Sequence, residues 1–504
     1  MRVLLILTGR RTFFRWVSPP LGILQLGAYL RSTLKNVEIR VVDQRAMDCT
    51  NEEVVSSAVE FAPDVVGISC TTPNCNTLVA LSSGIRCALP QALLMIGGPH
   101  ASAFGAELLD TTCADCVVVG EGELTCEQVL RIWQEGSRDF SGVPGLVWRS
   151  VDGECLTNPG SAPVIEDLDT LPFPAYDLID LRSYWRLWSM SMVPPPRRYI
   201  SMFTSRGCPY GCIYCHEIFG KRFRAQSPER IVAEMEHYVR TYGIKEVEFF
   251  DDIFNLNGRR VIEFSELVQR RNLRVSISFP NALRTDILTP EVADALVAAG
   301  TRMSAFALES GSPRIQELIQ KRLNIPKYLE GVAMLAKRRV FTYGFVMFGF
   351  PTETAADMQM TVDMLRASKL HAVYSWIVTP YPKTELFDLA MRLHPERMAG
   401  LDLAGTDYAL FPCVNLSEVS DEVLAAYMRK AYSALFLNPL RALRIVRDFP
   451  RPWSVVRYAP GVLLSLTRSR HKYSSGQENA GRRSGNGITG DHACVSERGN
   501  LGRE

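Results

Sequence analysis

The sequence predicts an α/β chain: an N-terminal doubly wound parallel sheet, then a partial (β/α)6 barrel, then a helical C-terminal region. Three observations predict it. Short, continuously apolar runs alternate with helical stretches up to about residue 135, the pattern of strands buried on both faces of a parallel sheet. Six more such runs, again separated by helical segments, occupy residues 199 to 380, as a barrel of the TIM type requires. And 504 residues are too many for one ordinary domain.

In the first series the strands are VLLIL (3–7), VEIRVVD (37–43), VVGIS (65–69), LLMIGG (93–98) and CVVVGEGE (116–123). LGILQLGAYLRSTL (21–34), EEVVSSAVEFA (52–62) and LVALSSGIRCAL (78–89) carry helical periodicity between them. Residues 136–197, with the Pro-rich MVPPPRR, read as an irregular connector. The barrel, 198–415, opens on YISMFTS (199–205). It continues through EVEFFDD (246–252), RVSISFP (274–280), RMSAFALES (302–310), FTYGFVMFGFP (341–351) and AVYSWIVTP (372–380). Residues 416–470 read as helical. Residues 471–504 are polar, Gly/Ser/Asn/Arg-rich and poor in large apolar side chains, so disorder is expected there.

Composition narrows the function. Hydrophobic content is 47%, charged content 22% and net charge +2, so no global basic field points to nucleic acid. No apolar run is long enough to span a bilayer, and the short N-terminal one reads as a buried strand rather than a leader. A cytoplasmic location is expected. In a reducing compartment thirteen cysteines favour metal ligation or redox work over structural disulfides.

Three of those cysteines lie within SRGCPYGCIYCHE (205–217): Cys208, Cys212 and Cys215. The loop follows the first barrel strand, on the face where such folds place their chemistry. Thiolates suit zinc or iron–sulfur clusters. A structural zinc site wants four ligands, usually as two separated pairs, and no matching pair lies downstream. His216 could serve by composition, but ligation directly after Cys215 is sterically awkward. Three thiolates on a four-iron cluster leave one iron open to a small-molecule ligand.

The Cys-x3-Cys-x2-Cys spacing, with Tyr214 before the last cysteine, resembles the signature of the radical S-adenosylmethionine (radical SAM) superfamily. The resemblance implies a [4Fe-4S] cluster whose open iron is chelated by SAM, and reductive cleavage of SAM to a 5′-deoxyadenosyl radical. It also assigns SAM contacts. EFFDDIF (248–254) stands where the family meets the SAM amino group, nominating Asp251 and Asp252. ALESGS (307–312) nominates Glu309. FGFPTET (348–354) resembles the Gly-x-Pro-x-Glu loop that shapes the adenine pocket, nominating Gly349 and Pro351. TPYPKTEL (379–386) resembles a Pro-x-Pro-Gly-Thr-x-Leu stretch, with Lys383 where Gly is usual. Each acidic residue, taken alone, could equally be a helix cap or a solvated turn.

SPPLGILQLGAYLR (18–31), GISCTTPN (67–74), IGGPHAS (96–102) and VVGEGE (118–123) resemble the cobalamin-binding domain that precedes the barrel in one radical SAM subgroup. The resemblance covers about residues 1–135. Gly97 and Gly98 would let the backbone approach a flat macrocycle. Ser69, Thr71 and Thr72 offer hydroxyls, and Gly120 and Glu121 complete the expected cobalamin set. One departure stands out: Asp43-Gln44-Arg45-Ala46-Met47-Asp48 lacks the cobalt-ligating His of the usual Asp-x-His-x-x-Gly. His100 reads as structural or backbone-bonding.

The expected function is therefore a cobalamin-dependent radical SAM enzyme. Its expected reaction is C-methylation of an unactivated carbon on a lipid or secondary metabolite. An oxidative cyclase or rearrangement enzyme of the tetrapyrrole-cyclase kind shares every motif. A non-catalytic cobalamin sensor would have no use for three thiolates held open to SAM. The partners expected are a small-molecule substrate and an external electron donor of the flavodoxin or ferredoxin type. No catalytic side chain is assigned. Tyr343, Tyr374 and Trp376 read as core first and cavity lining second. Residues 438–472 mix Arg/Lys with Leu, Val, Trp and Tyr. They suit either peripheral membrane contact or an ordinary amphipathic helix packed on the barrel with its arginines in solvent.

Overall fold

A computed structural model describes residues 1–9, 16–191, 193–403 and 414–458. The expected tail at 471–504, and residues 459–470 of the expected helical region, lie outside the described residues.

The N-terminal sheet is built on β1 (Arg2–Leu7), β2 (Glu38–Asp43), β3 (Val65–Ser69), β4 (Leu93–Gly97) and β5 (Cys116–Val117), all parallel, in the order β2-β1-β3-β4-β5. Val3, Leu4, Leu5 and Ile6 are all buried, as in a strand covered by helices on both faces. The covering helices start where the sequence supplies caps. Thr50 forms a capping box with Glu53 ahead of the helix Asn51–Phe61. Part of the stretch expected to be an irregular connector extends this sheet: β6 (Val147–Arg149) pairs antiparallel with β5, and β7 (Cys155–Thr157) antiparallel with β6. Three-residue strands, one of them exposed throughout, carry too little periodicity to be read from sequence.

The second sheet is a six-stranded, all-parallel partial barrel. It starts at β8 (Tyr199–Met202), which leads into the short hairpin β9 (Ser205–Arg206) and β10 (Arg224–Ala225). It continues through β11 (Glu246–Phe249), β12 (Ser276–Leu283), β13 (Thr301–Glu309), β14 (Phe341–Phe348) and β15 (Ala372–Ile377). The strands pair in sequence order, β8-β11-β12-β13-β14-β15, with β8 and β15 as open edges. Helices open on Ser227 with Pro228, on Thr289 with Pro290, and on Thr354 in a capping box with Asp357. One large apolar core fills the space between these helices and the strands. Tyr343 and Tyr374 are packed among Phe345, Trp16 and Trp376, which favours the core reading of these aromatics. No helix of the described residues is long and apolar enough to cross a membrane.

Candidate active site

The cysteine loop runs from β9 to β10, which pair antiparallel and close its neck. Gly207 sits in that neck with φ +84°; a Cβ there would come within 2.1 Å of the Arg222 carbonyl oxygen, so only glycine fits. Asp251, buried after β11, anchors the entry. Its Oδ1 accepts hydrogen bonds from Thr204 N (3.1 Å), Thr204 Oγ1 (2.7 Å) and Ser205 Oγ (2.5 Å). Arg260 anchors both sides of the neck, donating to the Thr204 and Gln226 carbonyls at 3.0 and 2.9 Å. Burial pushes the Asp251 carboxyl above its ordinary range, against the pull of Arg260 and the hydroxyl donors.

Cys208, Cys212 and Cys215 line a cavity of about 330 Å³ with Tyr210, Tyr214, His216, Asp252, Asn281, Arg284, Glu309 and Lys321. Among the described residues no three His, Cys, Asp or Glu side chains converge tightly enough for one metal ion; the three cysteines line a shared space. A cubane asks for that, since each thiolate holds its own iron. The donor set, three soft thiols, also fits an iron–sulfur group. Burial raises the Cys215 thiol to about 12, helped by Cys212, Asp252 and Cys208 and opposed by Lys321. Burial likewise raises Cys208.

The rest of that cavity is charged and tied together. Glu309, the last residue of β13, has φ +63°, a left-handed conformation costing about 1–3 kcal/mol and held by its surroundings. Its Oε1 meets Lys321 Nζ at 3.2 Å and accepts from Tyr214 at 3.3 Å. Arg284 lays its guanidinium 3.6 Å from the centroid of Tyr210. The Asp252 carboxyl is raised by burial and lowered in turn by nearby His216.

A second cavity, about 540 Å³, lies on the C-terminal edge of the N-terminal sheet. Leu5, Ser69, Gly97, Gly98, Gly120 and Glu121 line it from that side. Gly97 tests whether a ligand belongs there. A Cβ built on it meets no atom within 4 Å, so the missing side chain leaves open space rather than room for protein packing. A broad, mostly apolar cleft floored by glycine fits a flat macrocycle. Gly98 differs: φ is +90° and a Cβ would lie 2.6 Å from Ser69 Oγ.

The barrel supplies the far wall of the second cavity, and the two cavities share His216, Phe219, Asp252 and Asn281. Buried ion pairs hold the sheets face to face. Arg206 reaches Glu121 and Glu123, each at 2.6 Å, and Arg224 pairs with Glu121.

With this geometry in hand, similarity to known proteins is specific. A model of the radical SAM superfamily matches residues 202–365, and one of the B12 binding domain matches residues 14–130. An uncharacterized methyltransferase of Pyrococcus horikoshii is 31% identical over 87% of this chain and 93% of its own length. The chain belongs to the radical SAM superfamily. An anaerobic magnesium-protoporphyrin IX monomethyl ester cyclase of Rubrivivax gelatinosus is 24% identical over 74% of this chain and 65% of its own length. In fold, the chain resembles the radical SAM methyltransferase TsrM of Kitasatospora setae, solved with cobalamin and a [4Fe-4S] cluster. The TM-score is 0.63 at 20% identity, covering 79% of this chain and 75% of that one. This radical SAM enzyme therefore uses a [4Fe-4S] cluster, SAM and cobalamin as cofactors.

The expected site residues separate into those at the cavities and those behind them. Asp252 and Glu309 line the cluster cavity; Asp251, Gly349 and Pro351 line neither cavity. Gly349 donates to Glu353, whose buried carboxyl is raised to about 8 by desolvation. Ser69, Gly97, Gly98, Gly120 and Glu121 line the second cavity, whereas Thr71 and Thr72 do not. Thr71 Oγ1 accepts from Asn74, and Thr72 Oγ1 lies 3.3 Å from His100 Nδ1. His100 is buried and donates its backbone N–H to Cys70, in keeping with a structural role. Asp43 caps a short helix and accepts from Tyr184. Lys383, in the family's glycine position, has φ +64°, the region glycine favours. Sequence reasoning missed Lys321, Arg284, Asn281 and Arg260. They sit in no motif; Arg284, a cation directly after a barrel strand, gives the one local signal among them.

Proposed function

We propose that the chain is a C-methyltransferase acting on an unactivated carbon of a lipid or secondary-metabolite substrate. The observation that carries this reading is the shared lining of the two cavities, His216, Phe219, Asp252 and Asn281. A substrate there touches the spaces of both cofactors at once. The likeness to a Pyrococcus horikoshii methyltransferase supports it.

Cys208, Cys212 and Cys215 would hold three irons of the cluster. Lys321 would receive the carboxylate of SAM and Asp252 its amino group; both line the cavity. Glu309 positions Lys321. Gly97 and Ser69 would floor the cobalamin space, which Phe203, Phe219 and Phe250 also line, Phe219 at the junction of the two cavities. When bound, SAM with its cluster supplies a hydrogen-abstracting radical and cobalamin supplies the methyl group. Lys221 and Arg222, on the cysteine loop, are paired with Glu217 and Glu166, so an external electron donor of the flavodoxin or ferredoxin type would meet mixed charge there.

A second reading, oxidative cyclisation, is favoured by the 24% identity to the Rubrivivax gelatinosus cyclase. Anaerobic turnover of candidate substrates with methyl-labelled SAM separates the two. Label in the product is expected. Deoxyadenosine formed with unlabelled product would overturn methyl transfer in favour of cyclisation.

A further inference from the structure

The helix Pro439–Asp448 is inverted: two of its three arginines, Arg441 and Arg444, point inward and its leucines outward. Arg441 is buried and donates to the carbonyls of Leu365, Arg366 and Ser368 at 3.3, 3.1 and 2.9 Å. It thereby satisfies the orphan acceptors at the end of the helix Ala355–Ala367, where a cation also meets the negative pole of the helix. Arg444 donates to the Lys369 and Leu370 carbonyls. Asp448 is buried against His371 Nε2 at 3.0 Å. The sequence-based alternative, a helix packed with arginines in solvent, is corrected here for Arg441 and Arg444.

The opposite face is apolar and open. Leu440 and Leu443 are 76% and 73% exposed, with Leu437 and Val446 continuing the same three-residue spacing. The turn Pro452–Tyr458 adds Trp453, 93% exposed, and Val456. A contiguous exposed apolar face of this kind marks an interaction surface.

We propose that this face docks on the surface of an anionic lipid bilayer. Charge selects that occupant. Residues 438–458 hold five arginines and one acid; Arg441 and the acid, Asp448, are buried, while Arg447 and Arg457 stay exposed in the same stretch. A second copy would bring two such cationic faces together, which opposes self-association; anionic headgroups complement them. An exposed Trp beside leucines and arginines is interfacial chemistry.

The position has a consequence for substrate access. Phe341 and His371 lie at the N-terminal ends of β14 and β15, and Arg451 binds Glu246 at the start of β11 at 2.6 Å. The face therefore closes the barrel end opposite the cysteine loop. Docking tethers the enzyme with its cavities turned away from the lipid, and this face feeds no lipid substrate into them. The proposal is independent of methyl transfer.

Co-sedimentation of the full chain with vesicles tests it. Binding is expected to vesicles of phosphatidylglycerol and phosphatidylethanolamine, weakened by salt, and much less to phosphatidylcholine alone. The double variant Leu440→Glu/Leu443→Glu should bind at least about tenfold more weakly, and Trp453→Gln should weaken binding on its own. Both should keep wild-type cobalamin loading and elution volume. No binding to the anionic vesicles, or binding unchanged in both variants, would overturn the proposal. So would a dimer in light scattering that the double variant converts to monomer.

Discussion

Two parallel sheets in this chain obey the same rule and build opposite kinds of site. Each gathers its residues beyond the carboxyl ends of its strands. On the N-terminal sheet the site is made by what is missing, with glycines and apolar side chains around an open cleft. On the barrel it is made by what is present, with thiols, carboxylates, two lysines and an arginine in a smaller space. The first suits a large preassembled cofactor that brings its own reactive atom. The second suits a group whose metal must be held by protein atoms. Where the edges meet, Glu121, Arg206 and Arg224 fix them with buried charge.

Two experiments sharpen that contrast. The larger effect belongs to the seam. Glu121→Gln leaves Arg224 buried without its carboxylate and should cost about 3–5 kcal/mol, read as a drop in the denaturation midpoint; an unchanged midpoint would mean the sheets do not depend on this contact. The smaller effect separates two adjacent glycines. Gly97→Leu should fold normally and weaken cobalamin binding by at least about tenfold, ~1.4 kcal/mol, in a titration of the apo-protein. Gly98→Ala should instead destabilise the fold by about 1–3 kcal/mol through its positive φ and the contact with Ser69. If both lost stability and neither lost affinity, the cleft would be packing rather than a cofactor site.

The contrast also explains what the sequence revealed. A cysteine cluster announces itself because few other uses require that spacing, and the strand before it is apolar and long enough to place. The glycine-floored edge shows only through resemblance, because an absent side chain leaves no chemical signature. Strand ends were drawn too long: EVEFFDD reads as one run, but β11 stops at Phe249 and the next residues turn into the site. The inverted helix was visible as amphipathic, yet its polarity was not. The carbonyls that draw Arg441 inward belong to a helix end more than 70 residues earlier, a contact no local pattern encodes. Lys321 and Arg284 escaped for the same reason, since their partners Glu309 and Tyr210 come from other strands and loops.

The central claim is that three thiols share one iron–sulfur group with a vacant iron. Iron content and low-temperature EPR of the anaerobically reconstituted, reduced protein test it most directly. The account predicts about four irons per chain and a [4Fe-4S]⁺ signal perturbed by SAM, lost in Cys208→Ala, Cys212→Ala and Cys215→Ala but kept in Cys126→Ala. Bound zinc, or iron retained when all three cysteines are replaced, would contradict it.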